Sequence, residues 1–329
     1  MPLTPNRRLL VVVLLVPLVV TLALWAFAWP AARTAPRDLP VGIAGTAPAA
    51  DRLQQRFEER DGAFDVHRYD SEAAARAAIE DRTVYGAVVV TTEGPELLTA
   101  SAGGTVVAQL LREAVTAGAP AGSEVPVTDV VAAPATDPRG AVLGASILPL
   151  AIAGVAAGAA ATLLRLRGAR AGVALLGVAV VVGLLATAVT DSWLGALTGA
   201  WWSEAGTIAL TVLAVGAPVA GLAALIGTPG IGLGALLMVL LGNPFSGVTS
   251  APELLPRPVG LIGQLLPPGA SGSMLRSVAF FDGAAAAVPA LTLGVWAALG
   301  LVAVLVGGRR RTAADPTAPE PAREPALAG

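Results

Sequence analysis

Residues 9–29 read LLVVVLLVPLVVTLALWAFAW, twenty-one residues without a charge. An α-helix rises about 1.5 Å per residue, so about 20 apolar residues are needed to carry it through the hydrocarbon core, where no water satisfies exposed backbone groups. This stretch therefore predicts a membrane-crossing helix. Arg7 and Arg8 ahead of it and Ala26-Phe27-Ala28 near its end also resemble the flanks of a secretory signal. The apolar run exceeds the roughly 7–15 residues of a signal core, which favours a retained helix over a cleaved one.

The composition agrees with that reading. Of 329 residues 55% are hydrophobic, and the 38 glycines raise the apolar share to about two-thirds, against about half in soluble domains. Charged residues make up 13%, and the mean hydropathy is +0.72. There is no Cys and no Lys, so every one of the 21 basic residues is Arg. Disulfides, thiolate chemistry, a Lys-containing phosphate loop, a Schiff base and a Ser-Lys dyad all lack their residue. His67 is the one histidine, so a multi-histidine metal site cannot form, and a Ser-His-Asp triad would have to pass through it. These absences predict a non-enzymatic protein with no metal and no cofactor. The net charge of −2 and the dispersed Arg residues give no nucleic-acid surface; the partner that composition implies is the lipid bilayer.

Five further segments approach spanning length: 141–164, 171–189, 207–226, 231–248 and 289–306. The fifth of the six runs into Gly242-Asn243-Pro244, which is expected to break its last turn. Six crossings put Arg7 and Arg8, then Arg165, Arg167 and Arg170, then Arg309 to Arg311 on one side, and one helix more or fewer would throw the last cluster to the other. By the positive-inside rule that side is cytoplasmic, as are both termini. Trp25, Trp29, Trp193, Trp201 and Trp202 then fall at the outer ends, where aromatic anchors are expected. The expected organisation is a polytopic α-helical plasma-membrane protein with six transmembrane helices. It comprises an N-terminal helix (1–30), an extracytoplasmic α/β domain (31–140), a five-helix domain (141–308) and a Pro-, Ala- and Glu-rich disordered cytoplasmic tail (309–329).

In the region 31–140, Leu39 to Ala44 and Phe64 to Tyr69 alternate as strands, and Pro48 to Arg60 reads as a helix. Ser71 is placed to cap a helix from Glu72 to Arg82. A Val-rich strand from Tyr85 to Thr91, a helix from Thr105 to Ala117 and a strand from Val125 to Ala132 complete a unit with partly parallel pairing. His67 shares a strand face with Asp65 and Tyr69. A solvated face accounts for it; the other reading is a pH-sensitive contact.

None of the six expected spans holds an ionisable residue, since Asp191, Glu204, Glu253, Arg257, Arg276 and Asp282 all fall in external connections. That argues against an ion-coupled carrier, which needs a charged relay near the midplane, and points to an apolar or amphipathic substrate. Gly140-x-x-x-Gly144 and Gly154-x-x-x-Gly158 have the spacing that lets helix backbones approach, although an Ala/Gly-rich chain also produces it by chance. Residues 243–288 form a broken hairpin, divided by Pro244, Pro252, Pro256, Pro258, Pro267 and Pro268. Its apolar pieces, 259–266 and 273–281, are too short to span and are expected to lie at the interface or re-enter it. Asn243, Pro244, Phe245 and Pro267 are the candidates for shaping this hairpin and a substrate path.

One helix, a large external domain, then five helices with a Pro-rich hairpin before the last is an arrangement that resembles the type-2 ABC exporter permease superfamily. The similarity is to its phage-infection-protein-like branch in high-GC Gram-positive bacteria. It is carried by Leu39-Pro-Val-Gly-Ile-Ala44, Ser71-Glu-Ala-Ala-Ala75, Val84-Tyr-Gly-Ala-Val-Val-Val90, Gly242-Asn-Pro-Phe-Ser-Gly247 and Leu265-Leu-Pro-Pro-Gly269. The resemblance implies a homodimer, a separate cytoplasmic ATPase and export of a hydrophobic or lipid-like substrate. The chain departs from the pattern in having only Arg165 to Arg170 between its second and third crossings, where the superfamily carries a helical coupling loop. Arg165, Arg167 and Arg170 are the candidate contact with such a partner, and as topology determinants they need no partner at all. The alternative is a non-transporting envelope protein whose external domain binds a ligand, a protein or a phage.

Overall fold

The computed structural model describes residues 5–313 apart from 46, 93 and 118–124. A long helix α1 (Pro5–Ala31) leads into a five-stranded sheet domain. That domain runs β1 (Leu39–Gly45), α2 (Ala47–Glu58), β2 (Phe64–Tyr69), α3 (Glu72–Glu80), β3 (Gly86–Val90), β4 (Pro95–Thr99), α4 (Thr105–Thr116) and β5 (Val127–Asp129). The strand order is β2-β1-β3-β4-β5. β2, β1 and β3 are parallel, β4 returns antiparallel to β3, and β5 runs parallel to β4.

Alternation along the strands builds two cores. Leu39, Val41, Ile43, Val88 and Leu97 face α2 and α4, whose Phe57, Val107 and Leu111 are buried against them. Ala44, Ala87, Val89 and Leu98 face the other way, onto Ala75 and Ile79 of α3. The connections β1-α2-β2 and β2-α3-β3 run in opposite directions along the sheet, so right-handed crossovers must cover opposite faces, as α2 and α3 do. Ser71 caps α3 as expected, accepting the Ala74 N–H at 3.2 Å. The sequence reading lacks β4, and the expected strand 125–132 shortens to three residues.

The remaining chain is helical: α5 (Ala141–Leu163), α6 (Gly168–Thr187) prolonged by a π turn to Trp193, α7 (Trp201–Ile226), and α8 (Pro229–Ala235) prolonged by a π turn to Leu241. After a turn region come α9 (Val259–Leu265), α10 (Pro267–Phe280) and α11 (Ala287–Ala313). Five helices, α1, α5, α6, α7 and α11, are long and apolar enough to cross a bilayer, and the protein is membrane-embedded. The fifth expected span, 231–248, behaves differently. α8 with its π turn has thirteen residues, about 20 Å against the roughly 30 Å of a hydrocarbon core. The chain leaves helical geometry at Gly242-Asn243-Pro244, as the breaker there demands.

α7 is the hub, packed on α5, α6 and α11. The glycine pair of α5 explains how closely α5 and α7 approach: a Cβ at Gly158 would lie 2.6 Å from the Gly216 carbonyl, and one at Gly154 would lie 2.6 Å from the Val215 Cβ. By contrast, the apolar side chains of α1 from Leu9 to Leu18 are exposed.

Two sequence expectations are corrected here. α7 begins at Trp201, six residues before the expected start at Thr207, so Glu204 lies inside its first turn and is fully buried. One oxygen of Glu204 accepts the Gly199 N–H at 2.8 Å and the other has no partner among the described residues. The tail expected from Arg309 begins as helix, because α11 continues to Ala313; Arg is a good helix former, and nothing forces the helix to stop where the apolar run does. Residues 314–329 lie outside the described residues.

Candidate functional site

The broken hairpin folds against the sheet domain, and each face of the sheet contributes. Ala251 and Leu254 complete the core under α2 and α4, and Phe281 completes the core under α3. Backbone pairing seals one edge: the Ala35 N–H donates to the Leu254 carbonyl at 3.0 Å, and the Arg37 N–H donates to the Glu253 carbonyl at 2.9 Å. The Arg37 guanidinium adds a bond to the Leu254 carbonyl at 2.8 Å, and Arg257 forms an ion pair with Asp38.

Between these contacts lies a cleft of about 550 Å³, walled by Ile79, Arg82, Val84 and Tyr85 on the sheet side and by Glu253, Leu255, Leu261, Gln264, Ser273 and Phe281 on the hairpin side. Its surface is mostly apolar, which with a few placed polar groups is the usual make-up of a small-molecule site.

Four polar side chains organise it. Arg82 ends the turn after α3 at φ 58°, left-handed geometry that costs a non-glycine residue about 1–2 kcal/mol and carries its side chain towards the hairpin. There it donates to the Ser273 carbonyl at 2.9 Å and to the Ser277 hydroxyl, and its guanidinium lies 5.3 Å from the Phe281 ring centre. Arg276 donates to the Val248 carbonyl at 2.7 Å. Tyr85 donates its hydroxyl to Glu253 at 2.8 Å. Behind them, Gln264 donates to the Ser246 carbonyl at 2.7 Å and accepts the Ser273 hydroxyl at 2.6 Å, fixing α9 to α10.

Burial sets the electrostatics. It pushes the Tyr85 hydroxyl far above its ordinary value, with the Glu253 charge adding to the effect, so Tyr85 is a donor at every physiological pH. It lowers both guanidinium groups, Arg276 to about 10, and the two cations oppose each other further in Arg276. No carboxylate lies within ion-pairing distance of Arg82 or Arg276 among the described residues. No group of three or more His, Asp or Glu able to hold a metal occurs among the described residues. The arrangement offers a ligand cationic donors beside an apolar wall.

The residues singled out from the sequence lie elsewhere. The Asn243 carbonyl accepts the Ser246 N–H at 3.2 Å and hydroxyl at 2.6 Å, closing the turn after α8. Pro244 stands in that turn. Phe245 is buried with Leu255 and Val259 against Trp29 of α1. Pro267 opens α10, where its missing N–H costs nothing. All four belong to the hairpin, and none lines the cleft. Arg165 and Arg167 line a separate cavity of about 250 Å³ at the far end of the bundle, beside Gly227 and Gly307, and Arg170 is exposed nearby. His67 lies on an exposed strand surface, 3.2 Å from Asp65. The sequence reading missed Arg82, Tyr85, Glu253 and Arg276. One signal was present: Arg276 interrupts an otherwise uncharged run from Leu265 to Phe281, and a cation in such a helix needs buried acceptors. Comparison with known protein families, with curated proteins and with solved structures finds no match.

Proposed function

We propose that this chain is a permease-like membrane subunit that exports a hydrophobic or amphipathic substrate, with the cleft as the substrate's outer station. The observation that carries the reading is the cleft itself, mostly apolar and edged by guanidinium groups, at the junction of the sheet domain and the helical bundle. Exposed apolar side chains flank it, Leu261 and Leu265 on α9 and Val288 and Leu291 on α11, so a molecule dissolved in the membrane has an apolar approach.

In this reading the sheet domain is extracytoplasmic. Arg165 and Arg167 at the opposite end of the bundle support that orientation, and α8 with the turn after it makes a shortened fifth passage of six. The resemblance to type-2 ABC exporter permeases supplies the energy source, a separate cytoplasmic ATPase, and the expectation of a homodimer.

A second reading has its own support. The connections at the far end are short, residues 164–167 and 227–228, and offer no helix for an ATPase to grip. On that reading the protein is an envelope component whose external domain binds a ligand without moving it.

The test is a mild-detergent pull-down of the tagged full-length protein from its native membrane, with mass spectrometry and an ATPase assay on the eluate. A stoichiometric ATPase is the expected result. Its reproducible absence from folded protein selects the second reading.

A further inference from the structure

The acceptors used by the cleft's cations are almost all neutral. Arg82 donates to a carbonyl and a hydroxyl, and Arg37 donates to the carbonyls of Arg33, Ala35 and Leu254. Arg276, directly behind the wall, donates to the Val248 carbonyl. Among the described residues, Arg257 alone of the lining guanidinium groups has a carboxylate partner, Asp38, at the rim. Among the described residues Glu253 is the single lining carboxylate, and it accepts the Tyr85 hydroxyl. The acidic neighbours Asp81 and Asp282 are exposed and pair with none of these cations. The cleft thus holds more positive than negative charge in a partly desolvated place, an arrangement that a bound anion relieves.

The rest of the wall is hydrocarbon: Ile79, Val84, Leu255, Leu261 and Phe281. Leu261 is 69% exposed and Leu265, on the same short helix, 58%, so an apolar strip runs from the cleft on to the outside of the bundle.

We propose that the cleft binds an amphiphile with one anionic head, a phosphate or a carboxylate, seated at Arg82 and Arg37 with its apolar body along α9. This deepens the export reading, because the same cleft is the substrate's station, but it concerns binding alone. Lipids with such heads and free anions share the recognising chemistry, and the test separates them.

The full-length protein, in phosphatidylcholine nanodiscs, is titrated with radiolabelled dodecyl phosphate and then challenged with competitors. Saturable binding is expected, displaced by dodecanoate and at least tenfold less well by dodecyltrimethylammonium or dodecyl maltoside. Arg82→Gln is expected to weaken binding at least tenfold, and Arg82→Lys to restore part of the loss. Thr83 is an exposed wall residue that accepts a larger side chain without disturbing a core, so Thr83→Trp blocks the cleft even if Arg82→Gln does not fold. Equal displacement by the cationic and anionic amphiphiles overturns the proposal, as does unchanged binding in folded Thr83→Trp. Displacement by inorganic phosphate as effective as by dodecyl phosphate overturns the amphiphile and leaves a free-anion site. Anion-selective binding without transport in proteoliposomes refutes export and leaves this inference standing, whereas transport without anion preference does the reverse.

Discussion

Tyr85→Phe removes one oxygen from the joint between the sheet domain and the hairpin. The hydroxyl bonds Glu253 across 168 residues of sequence at 2.8 Å. A hydrogen bond to a charged group contributes about 1.5–3 kcal/mol; both side chains keep some contact with solvent, which puts this bond near the lower end, about 1.5–2 kcal/mol. At 1.4 kcal/mol per decade, the open form of the joint should become roughly 10- to 30-fold more populated. Hydrogen exchange read by mass spectrometry is the assay: peptides covering 252–281 should exchange faster by about that factor, while α6 should not change. Glu253→Gln alone and combined with Tyr85→Phe completes a double-mutant cycle, in which the two losses should fall short of additivity. The chain has only two tyrosines, Tyr69 and Tyr85, so tyrosinate absorbance resolves them. Burial raises both, Tyr85 much further. Since its folded value lies above the unfolded value near 10, the Tyr85 contribution is complete below about pH 10 and is lost as the pH climbs beyond it. Two tyrosines ionising together near pH 10 in the folded protein, or unchanged exchange at 252–281 in Tyr85→Phe, would refute the buried joint.

The α5–α7 crossing makes a second prediction. Gly158→Ala would place its Cβ 2.6 Å from the Gly216 carbonyl, forcing the helices apart at a cost of about 1–3 kcal/mol. Gly177→Ala meets nothing within 4 Å and should gain up to about 1 kcal/mol from helix propensity; detergent melting curves that move together in the two variants contradict the packing. Asp137 caps the junction helix α5 by accepting the N–H groups of Ala141 at 2.9 Å and Val142 at 2.8 Å. Asp137→Ala should therefore cost about 1–2 kcal/mol in the same melting assay, with Asp137→Asn recovering part of it.

What the sequence made legible follows the range of the forces involved. Long apolar runs and strand alternation are local signals, and α1, α5, α6 and the strands β1 to β3 stand close to where they were expected. The misses are non-local. β4, Pro95–Thr99, has the length of β3 but reads PELLT, without β3's run of valines, and it is held as a strand by pairing with β3 from Gly86↔Thr99 to Val90↔Pro95. Glu204 reads as a loop residue by charge alone, yet the Gly199 N–H gives its carboxylate a place within α7. The cleft was least accessible, because Arg82 meets Ser273 and Ser277 across 191 and 195 residues and no local pattern encodes such a meeting. The hairpin prolines were visible as punctuation. The glycines that let the hairpin close were not: a Cβ at Gly263 would collide with the Phe245 carbonyl, and one at Gly260 with the Pro252 carbonyl.

α10 is where a ligand in the cleft and the bundle can influence each other. Its Leu275 and Ala279 are buried in the bundle core with Ile147, Ile208 and Val212. Ser273 and Ser277, on the same helix, hold Arg82, and Phe281 at its end enters the core under α3. Sheet domain, cleft and bundle thus share one fourteen-residue helix. A ligand shifts the bundle only by as much as it prefers one position of that helix over another. Opening the cleft by moving the sheet domain therefore requires either that Arg82 lets go of α10 or that α10 slides on α7. The first leaves the bundle untouched and makes the cleft a binding site alone. The second carries the occupancy of the cleft into the membrane, as export requires.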